Sequence, residues 1–158
     1  MKPDLDPTTD LSFARTLAVP RHLNWDCGTD PTHIPHFFIP APHKVTSVDI
    51  DLRVGGRFNT TFEVDGTVMD NQGAYLEVAP GEKLVFTDAD TEGWKPAPEP
   101  FLTTILLLSD ASGGGTTCTA IARHRNPDSR TAHENMGFFD GWGRVVTQPE
   151  TYAKDLMT

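Results

Sequence analysis

RFNTTFEVDGTVMDNQGAYLEVAPGEKLVFT, residues 57–87, alternates apolar and polar side chains and is punctuated only by tight-turn dipeptides. Phe58, Thr60, Phe62 and Val64 fall on one side of an extended chain, and Asn59, Thr61 and Glu63 on the other, the period-two pattern of a half-buried strand. Asp65-Gly66 suits the left-handed positions of a two-residue hairpin turn. A second strand is expected from Thr67 towards Val78, then a type II turn over Ala79-Pro80-Gly81-Glu82, then a strand from Lys83 to Thr87. With no helix between these strands, they form an antiparallel meander.

Working outward, Lys44 to Val54 alternates Val48, Ile50 and Leu52 with Ser47, Asp49 and Asp51 and predicts a preceding strand, turned by Gly55-Gly56. Leu11 to Val19 reads as a first strand. Arg21 to Cys27, after Pro20 and before Gly28, reads as a short helix, and Asp30-Pro31 opens a second helical turn towards Phe37-Phe38. Asp88 to Pro100, with Gly93, Trp94, Pro96 and Pro98, reads as an irregular loop, a place for a lid. Phe101 to Ser109 and Thr116 to His124 form a last hairpin around Ser112-Gly113-Gly114-Gly115. From Arg130, Phe138, Trp142, Val145, Tyr152 and Leu156 recur at helical spacing and predict a long C-terminal helix that packs on the sheet, kinked or broken at Pro149.

The chain has 158 residues and a formal net charge of −9, with a pI near 4.9. That length suits one domain, read as residues 11–158 behind a tail of residues 1–10. The negative field disfavours nucleic acid and anionic membranes as partners. The acidic segment from Met1 to Asp10 reads as neither secretion signal nor anchor, and Ile105 to Leu108 is too short to span a bilayer, so a cytoplasmic location is expected. Cys27 and Cys118 are expected as two reduced, buried thiols, a single disulfide being the alternative in an oxidising compartment.

Ala18-Val19-Pro20-Arg21, Thr29-Asp30-Pro31, Asp51-Leu52-Arg53-Val54-Gly55-Gly56, Asp65-Gly66, Gly73, Pro80-Gly81-Glu82-Lys83-Leu84 and Gly141-Trp142 occur in that order. An ordered series of this kind, from about Leu11 to Leu156, resembles the AHSA1-like (activator of Hsp90 ATPase homologue) branch of the SRPBCC/START-like, or Bet v 1-like, superfamily. The resemblance implies an α+β helix-grip fold, a curved antiparallel sheet wrapped around a long C-terminal helix, with two short helices after the first strand. The chain departs from the family in carrying Phe37-Phe38 where a Trp-Trp pair is common, which bears on the cavity entrance, and in its Pro149.

The resemblance also implies a cavity between sheet and last helix. Phe58, Phe62, Met69, Tyr75, Phe101, Met136, Phe139 and Trp142 are either its wall or a solid core, with Phe37 and Trp94 at the entrance and the lid. His124 and His133 flank the junction of last strand and last helix; they read first as capping or surface histidines, with ligand contact as the alternative. His33, His36 and His43 have zinc-ligand chemistry, but Pro35 interrupts them and no cysteine completes a set, so they read as a surface loop and no metal is expected. Asp49 and Asp51 face away from Val48 and Ile50 and are expected to pair with Arg53 or Arg57 in solvent. No P-loop, GxGxxG or GxSxG motif occurs, and no cofactor is implied.

The leading expectation is a protein that binds a small hydrophobic or amphipathic molecule. The alternatives are an enzyme of the polyketide cyclase/dehydratase or hydrolase kind, using His124, His133 or Tyr75, and a chaperone-associated interaction module. A homodimer through an exposed strand edge or the Trp94 loop remains open.

Overall fold

The computed structural model describes residues 4–32, 44–98 and 100–146. Strand β1 (Asp10–Leu17) leads into helix α1 (Arg21–Thr29). The meander follows as β2 (Lys44–Ile50), β3 (Arg57–Val64), β4 (Thr67–Ala79) and β5 (Lys83–Thr87). A two-stranded finger, β6 (Asp90–Thr91) and β7 (Lys95–Pro96), precedes the last hairpin, β8 (Leu102–Asp110) and β9 (Thr116–His124). Helix α2 (Pro127–Asn135) comes next, and residues 138–146 form helix α3.

The seven long strands make one antiparallel sheet in the order β1-β9-β8-β5-β4-β3-β2. With α3 packed on one face, this is the α+β helix-grip fold. The turn chemistry is as expected: Asp65 and Gly66 take φ of 51° and 79°, and Gly81 takes 75°. The Glu82 amide donates to the Ala79 carbonyl at 2.9 Å. The loop over residues 88–100 is more regular than expected, since β6 and β7 pair within it.

One irregularity shapes the inner face. In β4 the register shifts between Tyr75 and Glu77, a bulge that turns Glu77 outward, where it pairs with Lys83 at 2.9 Å. Gly73, opposite Phe58, and Tyr75, opposite Phe86, stay on the inner face. A Cβ at Gly73 would stand 2.5 Å from the Thr87 carbonyl oxygen. Only glycine lets β4 come that close to the end of β5.

The main core lies where α3 presses on β1 and β9: Leu11, Phe13, Ala120, Ala122 and Phe138 are buried together, with Trp142 and Val146 packed against them. The two fully buried alanines leave room for the rings of Phe138 and Trp142, whose centroids are 4.9 Å apart. Truncating Phe138 to alanine is expected to cost about 3–5 kcal/mol. A second inner cluster joins Phe58, Tyr75 and Leu84. Val85, Ile105 and Ile121 pack together with Leu76 and Leu107, residues offset by one from the inner-face positions and so on the opposite side of the sheet.

The helical stretch differs from its sequence reading. The helix begins three residues before Arg130, because Asn126 caps it, its Oδ1 accepting from the Ser129 amide at 2.8 Å, and Pro127 takes the first position. It then ends at Asn135, because Gly137 adopts φ of 91°. The Met136 and Gly137 amides close α2 on Ala132 and Glu134, and Gly141 donates back to the Gly137 carbonyl as α3 starts. Gly28 does not stop α1, which runs on to Thr29. The second helical turn past Thr32, Phe37-Phe38, His33, His36, His43, Pro149, Tyr152 and Leu156 lie outside the described residues.

Candidate functional site

Between the inner face of the sheet and α3 lies a hollow of about 420 Å³. Phe58 and Phe62 of β3, Phe86 of β5 and Leu106 of β8 form its sheet side, and Trp142, Val145 and Val146 of α3 form the other. Asn24 and Gly28 of α1 reach it as well. Its polar lining includes Thr104, Thr87 and His133. Glycines at 137 and 141, also in the lining, remove side-chain volume from the turn and first residues of α3. A hollow of similar volume, about 430 Å³, sits between Arg21, Gly81 and Asp110. There Arg21 already bonds Asp110 and the Gly81 carbonyl, each at 3.1 Å, so its chemistry is spent on holding α1 to two turns.

The histidines are not surface residues. His124, at the end of β9, and His133, in the last turn of α2, are each 7% exposed. His124 Nε2 and His133 Nδ1 are 2.8 Å apart. His124 Nδ1 meets the Thr9 carbonyl oxygen at 2.8 Å, and the same oxygen accepts the His124 backbone amide at 3.1 Å. Phe101, Phe138 and Trp142 pack edge-on around the His133 ring at centroid distances of 5.0–5.6 Å. Burial in this aromatic cage, and then the neighbouring His124, push the His133 pKa down to about 4.

Five enclosed polar atoms carry no partner among the described residues, Asn24 Nδ2, Tyr75 Oη, Thr104 Oγ1, Arg123 Nε and Arg130 Nε. Thr104 is among the residues lining the hollow, with its hydroxyl fully enclosed. The Tyr75 hydroxyl is likewise enclosed, and burial raises its pKa, but it lies behind Phe58 rather than in the lining. Neither histidine nor Tyr75 faces bulk solvent.

Of the residues singled out from sequence, Phe58, Phe62, His133, Met136 and Trp142 meet at the hollow. His124 and Phe101 stand behind His133. Met69 and Trp94 are exposed, 47% and 53%, because Met69 lies near the β3–β4 hairpin tip and Trp94 at the tip of the β6–β7 finger. Met136, on the α2–α3 turn, and Phe139, at the start of α3, are exposed, although Met136 also reaches the rim. Thr104, Asn24, Gly73 and the Thr9 carbonyl were not foreseen. A strand threonine and a backbone oxygen carry no sequence signal for such a role.

Asp49 pairs with Arg57 at 2.7 Å and Asp51 with Arg53 at 2.6 Å, all substantially exposed. Cys27 and Cys118 are free and buried, with burial raising their thiol pKa values to about 11 and about 12. Among the described residues no group of three or more His, Cys, Asp or Glu side chains is placed to hold a metal ion. No helix among them is long and apolar enough to cross a membrane.

The fold recurs in solved structures. Protein NE0264 from Nitrosomonas europaea is 36% identical over 97% of this chain and 99% of its own, with a TM-score of 0.93. A protein from Rhodobacter sphaeroides shares only 16% identity over 97% of each chain at a TM-score of 0.82, and Ms6760 from Mycobacterium smegmatis shares 24% over 92% of this chain and 90% of its own at 0.77. These last two show the fold alone. No curated protein sequence matches the chain. The family model described as activator of Hsp90 ATPase homolog 1-like protein matches residues 18–154, nearly the whole chain. The chain therefore belongs to the activator of Hsp90 ATPase homolog 1-like family, within the SRPBCC/START-like superfamily.

Proposed function

We propose that this protein binds a small hydrophobic or amphipathic molecule in the hollow between the sheet and α3, and that it does so in the cytoplasm. The observation that carries the binding reading is the hollow itself. It holds about 420 Å³, a volume within the ordinary range for small-molecule sites. Its wall of Phe58, Phe62, Phe86, Leu106, Trp142 and Val145 favours apolar matter, and polar residues such as Asn71, Gln72, Asp88 and His133 in the lining suit an amphipathic molecule. The two free thiols suit a reducing compartment.

The test is a fluorescence titration with 1-naphthol of the wild type and of Leu106→Trp, whose larger ring projects from β8 into the hollow. The wild type is expected to bind at micromolar concentration and Leu106→Trp at least tenfold more weakly. Equal affinity in the two proteins would place the probe elsewhere and sink the reading.

A further inference from the structure

A chain of hydrogen bonds with a fixed direction ends at the hollow. The Thr9 carbonyl oxygen accepts and cannot donate, so the 2.8 Å contact to His124 Nδ1 requires a proton on Nδ1. In the uncharged imidazole Nε2 is then a bare acceptor. The 2.8 Å contact between His124 Nε2 and His133 Nδ1 accordingly requires the proton on His133 Nδ1. That leaves His133 Nε2 with a lone pair and no proton. It has no partner among the described residues, and it is not among the fully enclosed unpartnered atoms, which are Asn24 Nδ2, Tyr75 Oη, Thr104 Oγ1, Arg123 Nε and Arg130 Nε. His133 lines the hollow, so the open side of its ring is the side a bound molecule meets.

Resting on the binding reading above, we propose that the hollow selects apolar molecules carrying a hydrogen-bond donor, a phenol or alcohol hydroxyl, which donates to His133 Nε2. A carboxylate or ether oxygen brings no proton and meets the lone pair of Nε2 unfavourably. The aromatic cage of Phe101, Phe138 and Trp142 keeps His133 uncharged near neutral pH, which preserves the acceptor. Thr104 stands in the same wall, but its hydroxyl is fully enclosed, which leaves His133 Nε2 as the acceptor the proposal rests on. Thr9, His124 and α2 act as positioning groups that set the tautomer.

The experiment compares 1-naphthol with 1-methoxynaphthalene, alike in shape and differing in the donor, in fluorescence titrations of the full chain at pH 7. The wild type is expected to prefer 1-naphthol about tenfold, the worth of one good hydrogen bond, and His133→Phe is expected to bind both equally. If both probes bind equally to the wild type and Leu106→Trp excludes both, donor selection is wrong while the binding reading stands. If neither probe binds, the binding reading falls and this inference with it. A tenfold preference that persists in His133→Phe assigns the donor to another acceptor and overturns the proposal. Long-range 1H–15N correlation spectra of the unaltered protein give an independent readout: both His124 and His133 are expected to carry their proton on Nδ1, and a proton on His133 Nε2 refutes the proposed direction.

Discussion

His133 Nδ1 and His124 Nε2 face each other across 2.8 Å, although one ring hangs from α2 and the other from the end of β9. The contact ties the first turns after the sheet to the sheet itself, and through the Thr9 carbonyl to the segment before β1. It also makes stability depend on acid. The His133 pKa is pushed down to about 4 in the folded protein, against about 6.5 for an ordinary imidazole. Below pH 6.5 the unfolded chain therefore takes up a proton that the folded chain refuses. The stabilisation is complete above that pH and falls as pH drops towards 4. Between pH 7 and pH 5 the wild type is expected to lose about 2 kcal/mol from this group. Urea unfolding at the two pH values, set against His133→Phe, measures it. Equal losses in the two proteins would show that His133 is not held neutral.

Gly137 and Gly28 make a matched pair. A Cβ at either meets nothing within 4 Å, so space does not distinguish them. Gly137 has φ of 91° and breaks the helical run, while Gly28 sits inside α1. Gly137→Ala is expected to destabilise by about 1–2 kcal/mol and Gly28→Ala to stabilise by about 0.5–1 kcal/mol. Chemical denaturation of both variants decides the point; an equal response would mean that the α2–α3 turn does not need its left-handed residue.

Tyr75 is fully buried and its hydroxyl has no partner among the described residues. Removing an enclosed, unpaired hydroxyl while keeping the ring, which sits 5.1 Å from that of Phe58, relieves a desolvation penalty. Tyr75→Phe is expected to gain about 1 kcal/mol, a rise of roughly 2–4 °C in Tm for a chain of this size. A fall in Tm would reveal a partner, such as an enclosed water, that the hydroxyl depends on.

Most of the sheet was legible because each strand of the meander announces itself twice, by alternation and by its turn. β3, β5 and β9 fall on their expected residues, Arg57–Val64, Lys83–Thr87 and Thr116–His124. The bulge at Tyr75–Glu77 was not legible, because no turn residue marks it and the run simply reads through. The apolar stripe of α3 was legible over Phe138, Trp142 and Val145, but the start of α2 was not: Asn126-Pro127-Asp128 carries a helix-capping signal that apolar spacing does not reveal. At the site, apolar wall residues such as Phe58 and Trp142 follow from pattern and resemblance. The histidine pair does not. Its meaning comes from the Thr9 carbonyl and the edge-on ring of Phe101, contacts between residues far apart in the chain.

The most direct measurement is the set of intermolecular nuclear Overhauser effects between 1-naphthol and the isotope-labelled protein. Contacts to Leu106, Val145 and Trp142 are expected, all from the wall between the sheet and α3. Contacts confined to the exposed side chains of Leu52, Val54, Val68 and Met69 would place the probe on the outer surface and contradict ligand binding in the hollow.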